Sequence, residues 1–319
     1  MSTQTAQPQI ECTDLVRIFS AEGVEVQALQ GLTLTVDRGE LTAIIGASGS
    51  GKSTLLAILS GLDVPTAGKA RVAGHDLLAM GSRERTRYRR HVAGFVWQQT
   101  ARNLLPYFTA AQNIATPLAI ASPFAAIGRR RDRAARVDEL LDLLDVSDVR
   151  DRLPSQMSGG QQQRVAIAVA LANSPEVLFT DEPTGELDGV NSQRVFDALR
   201  DVNERLGVTI VIVTHDQSVS TQVRRTVQIR DGRTSTEVLR STSRDEHGVE
   251  QQVAREYAVL DRVGRLQLPQ EYLTRLSMRH RVRLELESDH VQVHPSGDDD
   301  SAGQDSGGKD SGSKNKETP

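Results

Sequence analysis

The stretch Gly46-Ala47-Ser48-Gly49-Ser50-Gly51-Lys52-Ser53-Thr54 constrains this chain more than any other. It has the form G-x-x-x-x-G-K-[ST], and its flanks suit it. Leu41–Ile45 reads as a short buried strand leading in, and Leu55–Ser60 as a helix leading out, with Gly61 as its C-cap. A strand, glycine loop and helix in that order turn backbone N–H groups inward around phosphate oxygens, and the helix N-terminus adds positive potential. Gly46, Ser48, Gly49, Gly51 and Thr54 then belong to the phosphate-binding set. Lys52 supplies a point charge to the β- and γ-phosphates, and Ser53 a hydroxyl ligand for Mg²⁺. Charge usage supports the choice of lysine: of 38 basic residues only five are lysines, and three of those lie in the last eleven positions. Lys52 reads as a site that wants a slim ammonium where a planar guanidinium would not fit.

The 319 residues leave room for one large domain and a smaller one. A net charge of −4 gives no reason to expect a nucleic-acid binder. Cys12 is the single cysteine, which excludes an internal disulfide and fits a reducing compartment. No run of 18 apolar residues occurs, and Met1–Gln9 carries no apolar signal segment. The expectation is a chain that reaches a membrane only by docking onto something embedded in it.

Residues 1–9 read as a loose tail, Ile10–Phe19 as an edge strand and Leu29–Val36 as a half-exposed strand. Phe19 could stack on an adenine ring or simply pack at the sheet edge; spacing leaves both open. Residues 82–92 are arginine-rich and read as a solvated, salt-bridged helix. Val92–Gln99 is apolar and ends in Gln98-Gln99. Residues 108–152 are helical in pattern, with Val137, Leu140, Leu141 and Leu144 on one face. Ser158 is placed to cap the alanine-rich helix that follows, and Gly159 and Gly160 leave its N–H groups open, which makes a second anion-binding helix start. Val177–Glu182 is a buried strand ending in two carboxylates on the ligand edge of a parallel sheet. Asp181 suits Mg²⁺, directly or through water, and Glu182 suits orienting or deprotonating a water. The apolar strand Val208–Val213 ends in Thr214-His215-Asp216, and His215 there favours a γ-phosphate contact.

Together these pieces resemble the ATP-binding subunit of ABC transporters over residues 10–235. Met157-Ser158-Gly159-Gly160-Gln161 is similar to that family's LSGGQ signature, with Met for Leu. The resemblance implies an α/β P-loop cassette with a RecA-like core, an antiparallel β subdomain and a helical subdomain. It implies that Gln98 is the Q-loop glutamine, Asp181 the Walker B aspartate, Glu182 the catalytic glutamate, Asp188 the D-loop aspartate and His215 the switch histidine. Phe19 falls where the family places an adenine-stacking Tyr. Gln98 joins Ser53 and Asp181 as an implied metal contact. ATP and Mg²⁺ are the implied cofactors, and a head-to-tail homodimer with an integral membrane permease the implied assembly. That places the chain in the cytoplasm, on the inner face of the cell membrane. Residues 94–106 and Thr184–Asp188 look most like the lipoprotein-release, macrolide-export and cell-division branch. Trp97 and Glu186 depart from the usual pattern. The competing expectation is a soluble ABC-type ATPase or ATP-gated regulator acting on DNA.

Beyond residue 235 the sequence reads as a polar linker (236–254), a small β-rich appendage (255–295) and a low-complexity tail (296–319). Tyr257–Pro269 has strand–turn–strand character, Glu271–Met278 reads as a short helix, and Val282–Leu286 with Val291–Val293 as a hairpin. This order resembles the AbrB-type swapped-hairpin domain, which implies a second dimer contact; nucleic-acid binding is the less favoured role.

Overall fold

Strands of one central sheet alternate their side chains between two apolar cores. The computed structural model describes residues 7–21, 23–121, 128–244, 250–279 and 281–295. In chain order the elements are β1 (Ile10–Ala21), β2 (Val24–Val36), β3 (Leu41–Ile45), α1 (Lys52–Leu59), β4 (Ala67–Val72), β5 (His75–Asp76), α2 (Ser82–His91), β6 (Ala93–Val96), α3 (Ala110–Ala121), α4 (Gly128–Leu143) and α5 (Gly159–Leu171). They continue with β7 (Val177–Asp181), α6 (Gly189–Leu206), β8 (Thr209–Thr214), β9 (Arg225–Arg230), β10 (Arg233–Arg244), β11 (Glu250–Ala258), α7 (Gln270–Arg275), β12 (Val282–Leu286) and β13 (Val291–Pro295). The described residues fall into two compact units, one up to Gln267 and one from Leu268 onward.

The first unit holds a seven-stranded sheet in the order β11-β10-β9-β3-β8-β7-β6 and a four-stranded antiparallel sheet β2-β1-β4-β5. From β9 to β6 the large sheet is parallel. Its period-2 alternation sorts residues cleanly. Ala43, Leu178, Ile210 and Ile212 enter the core beneath α3–α6, whereas Ile44, Phe179, Val211 and Val213 enter the core shared with α1 and the antiparallel sheet. All eight are fully buried, and the seven larger than alanine each contribute on the order of 2 kcal/mol of apolar burial. The two sheets are stitched by Gln30 N–H to the Gly232 carbonyl (2.9 Å) and the Thr234 hydroxyl to the Thr33 carbonyl (2.6 Å).

Residues 236–254, expected as a linker, are largely strand: β10 pairs with β9 and then with β11 in an antiparallel hairpin that extends the sheet. Its polar composition hid it because polar partners, rather than apolar burial, hold it. Arg225 Nε donates to Glu237 (2.6 Å), and the Thr236 hydroxyl donates to Gln228 (2.8 Å). The strand–turn–strand expectation over Tyr257–Pro269 also fails in its second half. Asp261 accepts the N–H groups of Val263 and Arg265 (3.0 and 2.8 Å), which curls the chain away from an extended course. The arginine-rich α2 is helical as expected, but its anchoring is different from the salt-bridged surface expected of it. Arg85 donates to the carbonyls of Asp63, Leu77 and Met80.

In the second unit α7 precedes the β12–β13 hairpin, which pairs Val282 with Pro295 through Leu286 with Val291. The expected hairpin is thus present, while the AbrB-type assignment of 255–295 is not carried by it, since 255–258 belong to the large sheet. The tail expected at 296–319 lies outside the described residues, as do 1–6 of the N-terminal tail and 245–249 of the expected linker.

Candidate active site

Four neighbouring parallel strands end at the same sheet edge, and each brings one part of a cleft. The glycine loop follows β3, Gln98 lies two residues past β6, Asp181 ends β7 with Glu182 just after it, and His215 follows β8. A cleft of about 350 Å³ is lined by Ser48, Gly49, Gly51, Lys52, Ser53, Thr54, Gln98, Asp181, Glu182 and His215, with Ala28 of β2 on its rim. The ten sequence-expected residues among these are therefore brought together. Gly46, at the root of the loop, touches the site through its carbonyl.

Backbone requirements explain the glycines. Gly51 adopts φ +102°, and a Cβ there would stand 2.6 Å from the Ala28 carbonyl oxygen. A Cβ on Gly46 would stand 2.3 Å from the Ile229 carbonyl oxygen. Lys52 is only 7% exposed, and its ammonium donates to the carbonyls of Gly46 (2.8 Å) and Ala47 (2.9 Å). Burial pulls its pKa below the ordinary lysine value, against the opposing pull of Glu182 and Asp181. The Asp181 carboxyl is pushed above its ordinary range by burial and by neighbouring Glu182, with Lys52 opposing.

Glu182 is held by its surroundings more tightly than a strand-end residue needs. Its φ of +47° puts a non-glycine residue in the left-handed region, a conformation that costs roughly 1–3 kcal/mol and persists only when neighbours over-determine it. Those neighbours are Val213, whose carbonyl takes the Glu182 N–H (2.8 Å), and the end of β8. There the Thr214 hydroxyl donates to one carboxylate oxygen (2.9 Å), and the His215 N–H donates to the other (2.9 Å). His215 Nδ1 lies 2.7 Å from that same oxygen. Thr214 was not singled out from the sequence; a hydroxyl at a strand end beside His215 was the available signal. Asn103 was likewise missed. It closes the turn that carries Gln98, accepting from the Trp97 N–H (2.9 Å) and donating to the Trp97 carbonyl (3.0 Å).

The residues present fit a triphosphate with Mg²⁺. The left-handed Gly49 and Gly51 open the loop, Lys52 sits at its mouth, and Ser53, Gln98 and Asp181 offer a hydroxyl, an amide and a carboxylate. These are hard oxygen donors of the kind Mg²⁺ takes.

The remaining expected residues lie away from this cleft. Ser158 is exposed and caps α5 in a reciprocal box, its hydroxyl accepting the Gln161 N–H (3.3 Å) while Gln161 Oε1 accepts the Ser158 N–H (3.0 Å). Gln161 thus shapes the helix start with its side chain. Gly160 is pressed against α6, where a Cβ would stand 2.9 Å from Asn191 Oδ1. Asp188 caps α6, accepting from the Asn191 N–H (2.9 Å) and side-chain amide (2.8 Å), and these bonds hold its carboxyl below the ordinary range. Phe19, on β1, is 41% exposed and lies opposite Val26 of β2.

Comparison with known proteins settles the family. Residues 29–185 match the family model described as ABC transporter. The lipoprotein-releasing system ATP-binding protein LolD of Geobacter metallireducens is 43% identical over 224 residues, 70% of this chain and 96% of that protein. The chain belongs to the ATP-binding subunits of ABC transporters. It is accordingly an ABC-type ATPase with the P-loop cassette fold. The macrolide export ATP-binding/permease protein MacB of Burkholderia thailandensis is 45% identical over 72% of this chain, which spans only 34% of that longer protein. Among solved structures, a dimeric post-hydrolysis state of the ATP-binding cassette MJ0796 bound to ADP and phosphate superimposes with a TM-score of 0.64 at 35% identity. It covers 72% of this chain and 97% of the cassette. Among the described residues no helix is long and apolar enough to cross a membrane.

Proposed function

We propose that two copies of this chain close head to tail on two Mg-ATP, and that this closure drives an integral membrane permease. One observation carries the reading. The cleft holds the phosphate loop, the acids and His215, while Ser158 and Gly159 at the start of α5, and Asp188, stand exposed outside its lining on the same chain. An anion-binding helix start with no ligand of its own chain suits a partner's triphosphate. In this assembly Ser53, Asp181 and Gln98 would hold Mg²⁺, which would supply charge neutralisation at the phosphates. Lys52 and the loop amides hold the β- and γ-phosphates. Glu182 takes a proton from water as its oxygen attacks the γ-phosphorus in line and ADP departs; His215 fixes Glu182 and meets the γ-phosphate. Phe19 stacks on the adenine.

The proposed site of action is the inner face of the cell membrane, reached through the permease. Co-purification from detergent-solubilised membranes tests this. A permease retained through washing is expected, and a chain recovered free of membrane proteins would favour the soluble reading.

Glu186 puts an exposed carboxylate two residues before Asp188, toward the partner's phosphates in such a dimer. Exposed charges of this kind interact by roughly 0.5–1 kcal/mol where they matter, so Glu186→Asn is expected to raise ATP turnover about two- to fivefold. Equal rates for the two chains would remove Glu186 from gating.

The C-terminal hairpin is proposed as a second dimer contact. Leu284 and Leu286 are 64% and 84% exposed, and a two-stranded sheet is marginal without a partner. In the full chain without nucleotide, Leu286→Asp is expected to weaken self-association about tenfold, the order of one lost buried Leu contact. Sedimentation velocity reads this out. An unchanged association constant, with salt-dependent retention of the chain on duplex DNA, would favour DNA binding instead.

A further inference from the structure

Arg17 lies two residues before Phe19 on β1 and has no role in the phosphate chemistry described above. Its guanidinium sits over the Phe19 ring, 4.4 Å from the ring centroid, within the range of a cation–π contact. The guanidinium is not free to wander. Its Nε and one terminal nitrogen donate to the two carboxylate oxygens of Asp63 (2.8 and 2.9 Å), a two-bond fork that fixes the plane of the group. Both side chains are about three-quarters buried, with relative exposures of 23% and 25%.

Asp63 in turn is attached to the phosphate-binding element. Its N–H donates to the Ala57 carbonyl (3.0 Å) in the last turn of α1, the helix whose first residue is Lys52. At the other end of the chain of contacts, Phe19 pairs with Val26 of β2, and Ala28, two residues further along that strand, lines the phosphate cleft. Two residues of strand span about 7 Å, so the ring stands close to the rim over which a nucleoside would extend. A charged plane on one face of the ring leaves the other for a base. It also draws ring electron density away from that free face, which suits an electron-rich purine.

We propose that Arg17, braced by Asp63, is a positioning residue for the base of the bound nucleotide. It fixes the Phe19 ring in register with the phosphate loop. This rests on the reading of Phe19 as the adenine-stacking residue. Lysine would not replace it, since an ammonium keeps the charge but offers neither the planar stack nor the fork to Asp63.

Steady-state ATPase assays on the full chain test the proposal, with inorganic tripolyphosphate as a base-free competitor. Arg17→Ala is expected to raise KM for ATP about fivefold, the size of one partly exposed cation–π and stacking contact. Its kcat is expected to stay within about twofold, the pattern of a lost uniform binding contact. Tripolyphosphate inhibition should be unchanged. Asp63→Asn should move KM in the same direction by less, Arg17→Lys should fall short of wild type, and Arg17→Ala should add nothing in a Phe19→Ala background. Weakened tripolyphosphate inhibition in step with KM would mean that the pair merely supports α1, and would overturn the proposal; so would an unchanged KM. A normal KM in Phe19→Ala alone would instead defeat the stacking reading beneath it.

Discussion

Glu182→Gln is expected to bind Mg-ATP and fail to hydrolyse it, with kcat lower by about 10³-fold, the range for loss of a general base. The physical basis is the frame around this side chain. The Thr214 hydroxyl, the His215 N–H and His215 Nδ1 all converge on its carboxylate within 2.9 Å. An amide of the same shape can keep part of that frame, so the substitution removes the base while sparing the cleft. A dimer that closes on ATP but cannot complete the reaction should accumulate. Gel filtration in saturating Mg-ATP then shows the variant at twice the wild-type monomer mass, and filter binding shows ATP retained. Steady-state turnover near the wild-type rate would take Glu182 out of the reaction. A variant that saturates with ATP yet stays monomeric at high concentration would instead remove the head-to-tail assembly.

Lys52→Ala is expected to abolish turnover by about 10³-fold through loss of charge stabilisation on the phosphates, and to weaken ATP binding with it. Lys52→Arg is expected to do little better. The ammonium reaches two loop carbonyls from a position only 7% exposed, and a planar guanidinium in that place would crowd the loop. Equilibrium binding of Mg-ATP and steady-state rates on the two variants check this. Wild-type hydrolysis by the Lys52→Arg variant would show that charge alone matters there.

The lining of the cleft was legible in the sequence because each of its parts is local. The glycine loop, the two acids after Val177–Thr180 and the histidine after Val208–Val213 are short strings whose neighbours within a few residues dictate their geometry. The cores were legible for a similar reason, since β3, β7 and β8 are apolar enough to declare burial on both faces. The hairpin β10–β11 was not. Its strands are polar, and their order comes from pairing with β9 and from contacts such as Arg225 with Glu237 and Glu40, the latter 185 residues away in sequence. No periodicity announces such a strand.

Sequence by itself determined the family and the residue types available to it: a glycine loop with one lysine, two adjacent acids and a histidine at strand ends, all in contiguous strings. Tertiary structure decided what those motifs can do to one another. It brought four strand ends to a single edge, bent Glu182 into the reach of β8, set Arg17 over Phe19 through an aspartate 46 residues away, and left Ser158 facing outward. A local string sets backbone shape within a turn or two, whereas the meeting of distant side chains depends on the register of strands and the packing of two cores.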